Sequence, residues 1–125
     1  MTLLLDTQVL LWWLDEPRIL SKEARNAIGD GKNTVYVSAV VAWEITINRA
    51  LGRLDAPDDL EAAMVANRFL PLPVTVKHAL AVTRLPYHHR DPFDRLLIAQ
   101  ARHEGFKIVS RDPILAHYDV PCLVA

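Results

Sequence analysis

Cysteine is almost missing from this sequence. Cys122 is the only one in 125 residues, so no intramolecular disulfide can form and no cysteine pair is available to hold zinc. That usage suits a reducing, cytoplasmic setting. A long apolar run is lacking too: nothing approaches the roughly 20 residues of a membrane span. The apolar start MTLLLDTQVLLWWL has no basic residues ahead of it and contains Asp6, unlike a secretory signal. Nor is there an excess of one charge. Lys and Arg number 14 against 15 Asp and Glu, giving a net charge of −1 and an isoelectric point near 6.5. The overall basicity of a nucleic-acid binder is therefore absent. No repeat or low-complexity segment is visible. The length predicts one domain, residues 1–125, large enough to bury a respectable core.

What is present is an alternation of apolar runs with helical patterns. TLLL (2–5), TVYV (34–37), FKIVS (106–110) and PCLVA (121–125) read as strands, and FLPLP (69–73) as a short extended piece. Helices are expected over 7–16, 21–31, 38–51, 56–68, 75–85 and 91–105, with a short helical turn over 111–118. The helix TQVLLWWLDE is apolar nearly all round, so it is expected to be covered on more than one side. Strands alternating with helices predict an α/β domain with a mainly parallel sheet, in which ligands sit beyond the carboxyl ends of the strands.

Several acids fall where that rule places a site. Asp6 follows the first strand directly, and Asp112 lies just past KIVS. Either is also a natural N-cap. On a helical wheel Glu44 falls among Val40, Val41, Ile47 and Leu51, in the middle of an apolar stripe. A carboxylate there needs a salt bridge or a place in a site. In DPFD, Asp91 suits an N-cap ahead of Pro92, and Asp94 falls near the third helical position. If the helices 38–51 and 91–105 pack near the ends of strands one and four, Asp6, Glu44, Asp94 and Asp112 converge. Four carboxylates cannot stay ionised together without a cation. Hard oxygen ligands, with no cysteine pair and no His-x-x-x-His, select Mg2+ or Mn2+. Around them residues 84–111 are basic, and Arg90, Arg95 and Arg111 flank the acids where they could hold phosphates. Trp12 could stack on an unpaired base, although a Trp in an apolar helix is more often core.

Taken together, LLLDTQVLLWWL, VSAVVAWEI, HHRDPFDRLLIAQA and IVSRDPIL resemble the PIN-domain ribonucleases, most closely VapC-type toxins of bacterial toxin–antitoxin systems. The resemblance spans essentially the whole chain. It implies a five-stranded parallel sheet and a Mg2+- or Mn2+-dependent endoribonuclease whose metal site is formed by Asp6, Glu44, Asp94 and Asp112. Thr7 matches the small hydroxyl residue that often follows the first acid, and Ser110 stands where many members have threonine. Both join Arg90, Arg95 and Arg111 as candidate substrate-binding residues. The implied partners are an RNA substrate, a cognate antitoxin and a second copy of the chain, with no membrane. His88 and His89 receive no catalytic role, because no general base is required beyond the metal.

Other classes fit less well. A receiver domain needs adjacent acids at the first strand and a lysine near a late strand end, but Asp6 is alone and KIVS ends in Ser110-Arg111. An aspartate-nucleophile phosphatase needs a second acid two places after Asp6, where Gln8 stands. A non-catalytic PIN-like or receiver-like Mg2+-binding interaction module is the alternative. Tolerance of Glu44 loss would distinguish it.

Overall fold

A computed structural model describes residues 1–125. Five strands, β1 (Thr2–Leu5), β2 (Thr34–Ser38), β3 (Leu70–Leu72), β4 (Lys107–Ser110) and β5 (Cys122–Val124), form one sheet in the order β3-β2-β1-β4-β5. Every pairing is parallel, as the strand–helix alternation predicts. Six helices connect them: α1 (Thr7–Asp15), α2 (Lys22–Gly29), α3 (Ala39–Ala50), α4 (Leu60–Ala66), α5 (Val76–Ala81) and α6 (Pro92–Glu104). Short 3-10 turns occupy Pro17–Ile19, Val82–Arg84 and Pro113–His117.

The centre of the sheet is dry. Leu3, Leu4 and Leu5 of β1 and Ile108 and Val109 of β4 have no exposed surface, which is why these strands read as unbroken apolar runs rather than alternating ones. From β1 the chain moves outward through β2 and β3, then crosses back to build β4 and β5 on the other side. Adjacent strands β1 and β4 therefore bound the topological switch point, the crevice where open α/β sheets place ligands. Helix α3 packs on α1 and α6, and α6 packs on α5.

Caps account for most helix starts. The side chains of Asp6, Ser21, Ser38, Asp59, Thr75 and Asp91 each accept a backbone N–H of the helix that follows. Gly105, at φ 73°, ends α6 in the left-handed conformation that glycine adopts without strain. Two helices are shorter than the sequence predicts. α4 begins at Leu60 rather than 56, because Asp59 is the cap and Pro57 lies before it. Helix 75–85 stops at Ala81 and tightens into the 3-10 turn.

The apolar stripe of α3 also lies differently. Val40, Val41 and Ile45 are buried, Ile47 is half-buried and Leu51 is exposed. Glu44 accordingly sits at the edge of the buried face and not at its centre. In α1, Val9, Leu10 and Leu11 are buried while Trp12, Trp13 and Leu14 pack half-buried against the core. The fold itself covers this helix well.

Candidate active site

Register places the first acid. Leu5 of β1 lies opposite Val109 of β4, and the Asp6 N–H donates to the Val109 carbonyl at 3.2 Å. Asp6 thus leaves the sheet beside Ser110, at the carboxyl edge of the two central strands. One carboxylate oxygen accepts the Val9 N–H at 2.8 Å, capping α1. Asp112 does the same across the crevice, accepting the Ile114 N–H at 3.0 Å. Both residues are caps that also line the crevice, and the cap bonds fix where their carboxylates stand.

Asp94 reaches the same crevice from α6. The cleft is lined by Asp6, Asp94, Ser110 and Asp112, with Leu97, Ile98, Ile108 and Leu115 as its apolar wall. It is small, about 10 Å3, close to the roughly 10–15 Å3 that one water needs. Glu44 stands beside it on α3, its Oε1 accepting the Thr7 hydroxyl at 2.5 Å. Its charge acts on both Asp6 and Asp94.

Electrostatics record the crowding. Burial raises the Asp6 carboxyl above its usual range, and the charges of Asp112 and Glu44 raise it further, against hydrogen bonds from Ser110 and Val9. Burial also raises Glu44, with the Thr7 hydroxyl opposing and the charge of Asp91 adding. Asp94 is pushed up to about 7, first by burial and then by repulsion from Asp91, Glu44, Asp6 and Asp112. Asp94 thus sits among four other carboxylates whose charges oppose its ionisation.

Asp91 caps α6, its Oδ1 accepting the N–H groups of Phe93 at 2.9 Å and Asp94 at 3.2 Å. The two aspartates of DPFD therefore point to different work.

Four of the five proposed substrate contacts are already engaged within the protein. Arg95 is buried, and its guanidinium donates to the carbonyls of Val82, Leu85, Pro86 and His89 and to the Tyr118 hydroxyl. It organises the loop ahead of α6 and is turned away from any phosphate. Arg111 donates to the carbonyls of Ile19 and Ala125 and covers the Trp12 ring at 4.5 Å, so both are engaged within the fold. Thr7 holds Glu44. Ser110 is buried, bonds Asp6 and accepts the Asp112 N–H at 3.1 Å. These hydroxyls orient acids. Arg90 alone of the three arginines is exposed without such commitments.

Sequence reasoning missed two features beside the cluster. Trp43, next to Glu44, is 60% exposed and meets Phe93, next to Asp94, edge to face at 5.4 Å. His89 stands 3.5 Å from the Asp94 Oδ2. Adjacency to the two acids in sequence was the available signal for the aromatic pair.

A second set of possible ligands, His78, His103 and Glu104, lies toward the far end of α6. Its chemistry does not suit a metal. His78 Nδ1 accepts the Thr75 N–H at 3.1 Å, so Nε2 carries the proton and donates to Glu104 at 2.8 Å. A ligating imidazole must offer a bare nitrogen; His78 has none. Gln100 donates to the same Nδ1 and accepts the Ser38 hydroxyl, so this network ties α6 to β2 and α5.

Comparison with known proteins agrees with this fold. The family model described as PIN domain matches residues 3–121. The chain is 30% identical to Ribonuclease VapC22 of Mycobacterium tuberculosis, over 96% of this chain and 94% of that one. Among solved structures it is similar to VapBC2 of Rickettsia felis bound to a promoter DNA fragment, with a TM-score of 0.74 at 12% identity, covering 99% of this chain and 98% of that one. It is also similar to DNA-bound VapBC of Salmonella typhimurium, with a TM-score of 0.69 at 13% identity, over 99% and 98% of the two chains. At such identities the structures speak for the fold. The family model and the curated relative, each spanning nearly the whole chain, show that this protein belongs to the PIN domain family, among its VapC members.

Proposed function

We propose that this protein is a Mg2+- or Mn2+-dependent endoribonuclease and the toxin of a toxin–antitoxin pair. The observation that carries the reading is the convergence of Asp6, Asp94 and Asp112, with Glu44 beside them, on one small cleft at the switch point of the sheet. The donors fit a hard divalent cation: they are carboxylates and a serine hydroxyl, without sulfur, and their mutual repulsion calls for positive charge. When bound, the cation would polarise a scissile phosphate and acidify a water. Asp6 and Asp112 would hold it with the oxygens not used for capping. Thr7 and Ser110 keep Glu44 and Asp6 aimed. Asp94 or Glu44 would orient the attacking water and take its proton, so in-line hydrolysis would leave a 5′-phosphate and a 3′-hydroxyl without a protein nucleophile.

RNA as the substrate is supported by the relative's ribonuclease name, by the exposed Arg90, and by the exposed Trp43 at the flank of the cleft, where an unpaired base could stack. An antitoxin partner is supported by solved VapBC complexes of the same fold. A homodimer is supported by Val76 and Leu80, one turn apart on α5 and 74% and 64% exposed. This apolar surplus lies on α5, whereas the apolar α1 is covered by the fold itself. The test is cleavage of an end-labelled single-stranded RNA with Mn2+, with EDTA, and with Asp94→Asn. Cleavage only by the wild type with Mn2+ supports the reading. Cleavage that survives both EDTA and Asp94→Asn refutes it.

A further inference from the structure

A polar chain runs from Arg95 through Tyr118 to His89 in the HHRDPF element. Arg95 Nη1 donates to the Tyr118 hydroxyl at 3.3 Å. Guanidinium only donates, so the hydroxyl accepts there. Its own proton is then free for its other hydrogen bond, to His89 Nδ1 at 2.7 Å. With that proton given to His89, Nδ1 is assigned as the acceptor nitrogen, and in the neutral ring Nε2 then carries the hydrogen. That Nε2 is buried without a hydrogen-bond partner, and Asp94 Oδ2 stands 3.5 Å away.

A buried N–H without a partner is rare in folded proteins and calls for an explanation. The surrounding side chains are unusually committed to producing it. Arg95 is itself fixed by four backbone carbonyls. Tyr118 is buried and is flanked by the rings of His88 at 4.9 Å and His89 at 5.5 Å. The arrangement sets one tautomer and aims one donor at one candidate ligand carboxylate.

We propose that His89 is a positioning residue for Asp94: its Nε2–H, locked in place by Arg95 through Tyr118, closes on the Asp94 carboxylate when that carboxylate is drawn into the cluster by a divalent cation. This rests on the acids being a cation site. Its role is to orient a ligand from behind, as donors around metal-bound groups do. His89 acts only through Asp94.

The test measures Mn2+ affinity by calorimetry, beside a metal-free thermal melt of each variant. Loss of such a supporting donor weakens metal binding about 10- to 100-fold, so His89→Ala should do so by about tenfold or more. His89→Gln restores an N–H at similar reach and should return affinity to within about threefold of the wild type. Tyr118→Phe, which frees the tautomer, should fall between them. A long-range 1H–15N spectrum of the wild type should show His89 protonated at Nε2. If wild type binds Mn2+ and Asp94→Asn does not, yet His89→Ala binds like wild type, the inference is overturned and the cation site stands. Failure of His89→Gln to bind better than His89→Ala overturns it as well, leaving only packing. Should His89→Ala not fold, His89→Gln decides alone: near-wild-type affinity supports the inference and a tenfold loss overturns it. If wild type and Asp94→Asn respond to Mn2+ alike, the cation site itself is wrong and the inference falls with it.

Discussion

Removing the charge of Asp94 should make the metal-free protein more stable, and only above mildly acidic pH. Folding raises this carboxyl from 3.8 to about 7, some three pH units. At about 1.36 kcal/mol per unit the charged form carries a folding penalty of up to about 4 kcal/mol. The side chain is 33% exposed, so solvent screening reduces this to about 2 kcal/mol. Asparagine also forgoes the carboxylate's favourable place in the first turn of α6, about 0.5 kcal/mol. The net expected gain for Asp94→Asn is therefore about 1.5 kcal/mol. Its pH dependence follows from proton counting. Between about pH 4 and 7 the folded wild type keeps a proton that the unfolded chain releases, so its stability declines as pH rises through this window. Below it both states are protonated and the penalty vanishes; above it the penalty is complete. Urea unfolding in EDTA at pH 4, 6 and 8 should show curves for wild type and Asp94→Asn that agree at pH 4 and separate by pH 8, the variant being the more stable. A constant separation, or a wild type that gains on the variant as pH rises, would refute the crowded-carboxylate argument.

Other outcomes follow from the same geometry. Mn2+ at 100 times its dissociation constant should stabilise the wild type by about 2.7 kcal/mol, and Glu44→Gln should abolish that gain in a thermal melt. Asp91→Ala should cost on the order of 1 kcal/mol through the lost cap, whereas Asp91→Asn should cost little; RNA cleavage should persist in both, and a dead Asp91→Asn would reverse the division of labour in DPFD. Arg95→Met should destabilise by about 3 kcal/mol, because several buried carbonyls lose their donor. Arg90→Ala should melt like wild type and bind RNA with a smaller salt dependence, measured by titration at several salt concentrations.

Much of this molecule was legible in its sequence because local chemistry and topology agree. Asp91 precedes Pro92, so its capping role needed no tertiary information. Asp6 and Asp112 each follow an apolar strand, and the parallel order forces both to one edge. Less was legible where adjacent residues face different ways. Arg95 follows Asp94 but is turned about 100° around the helix, inward to carbonyls that only the loop over 82–89 supplies. Thr7 and Ser110 looked like groups for a substrate, yet Thr7 holds Glu44, 37 positions away, and Ser110 accepts the Asp112 N–H. The phase of α3 was misjudged because residues 39–47 are apolar on most sides, so the wheel gave the stripe without saying which part the core would take. His89 was invisible as a functional residue, since its meaning depends on Tyr118, which the sequence places 29 positions away.

The pairing of β1 with β4 has a consequence for when the protein can act. Asp6 and Asp112 come from opposite ends of the chain and meet only after these strands are zipped side by side. That closure is entropically late, because everything between them must first be gathered. A nascent chain, or one interrupted before residue 112, exposes individual acids but no assembled cluster. Such a partial product lacks the cluster, however much of α1, α3 and α6 has already formed. The electrostatic resistance is concentrated at the same step, since bringing the last carboxylate home sets like charges together. The carboxylate cluster therefore exists only in the finished molecule, and the cation site proposed above would be complete only there.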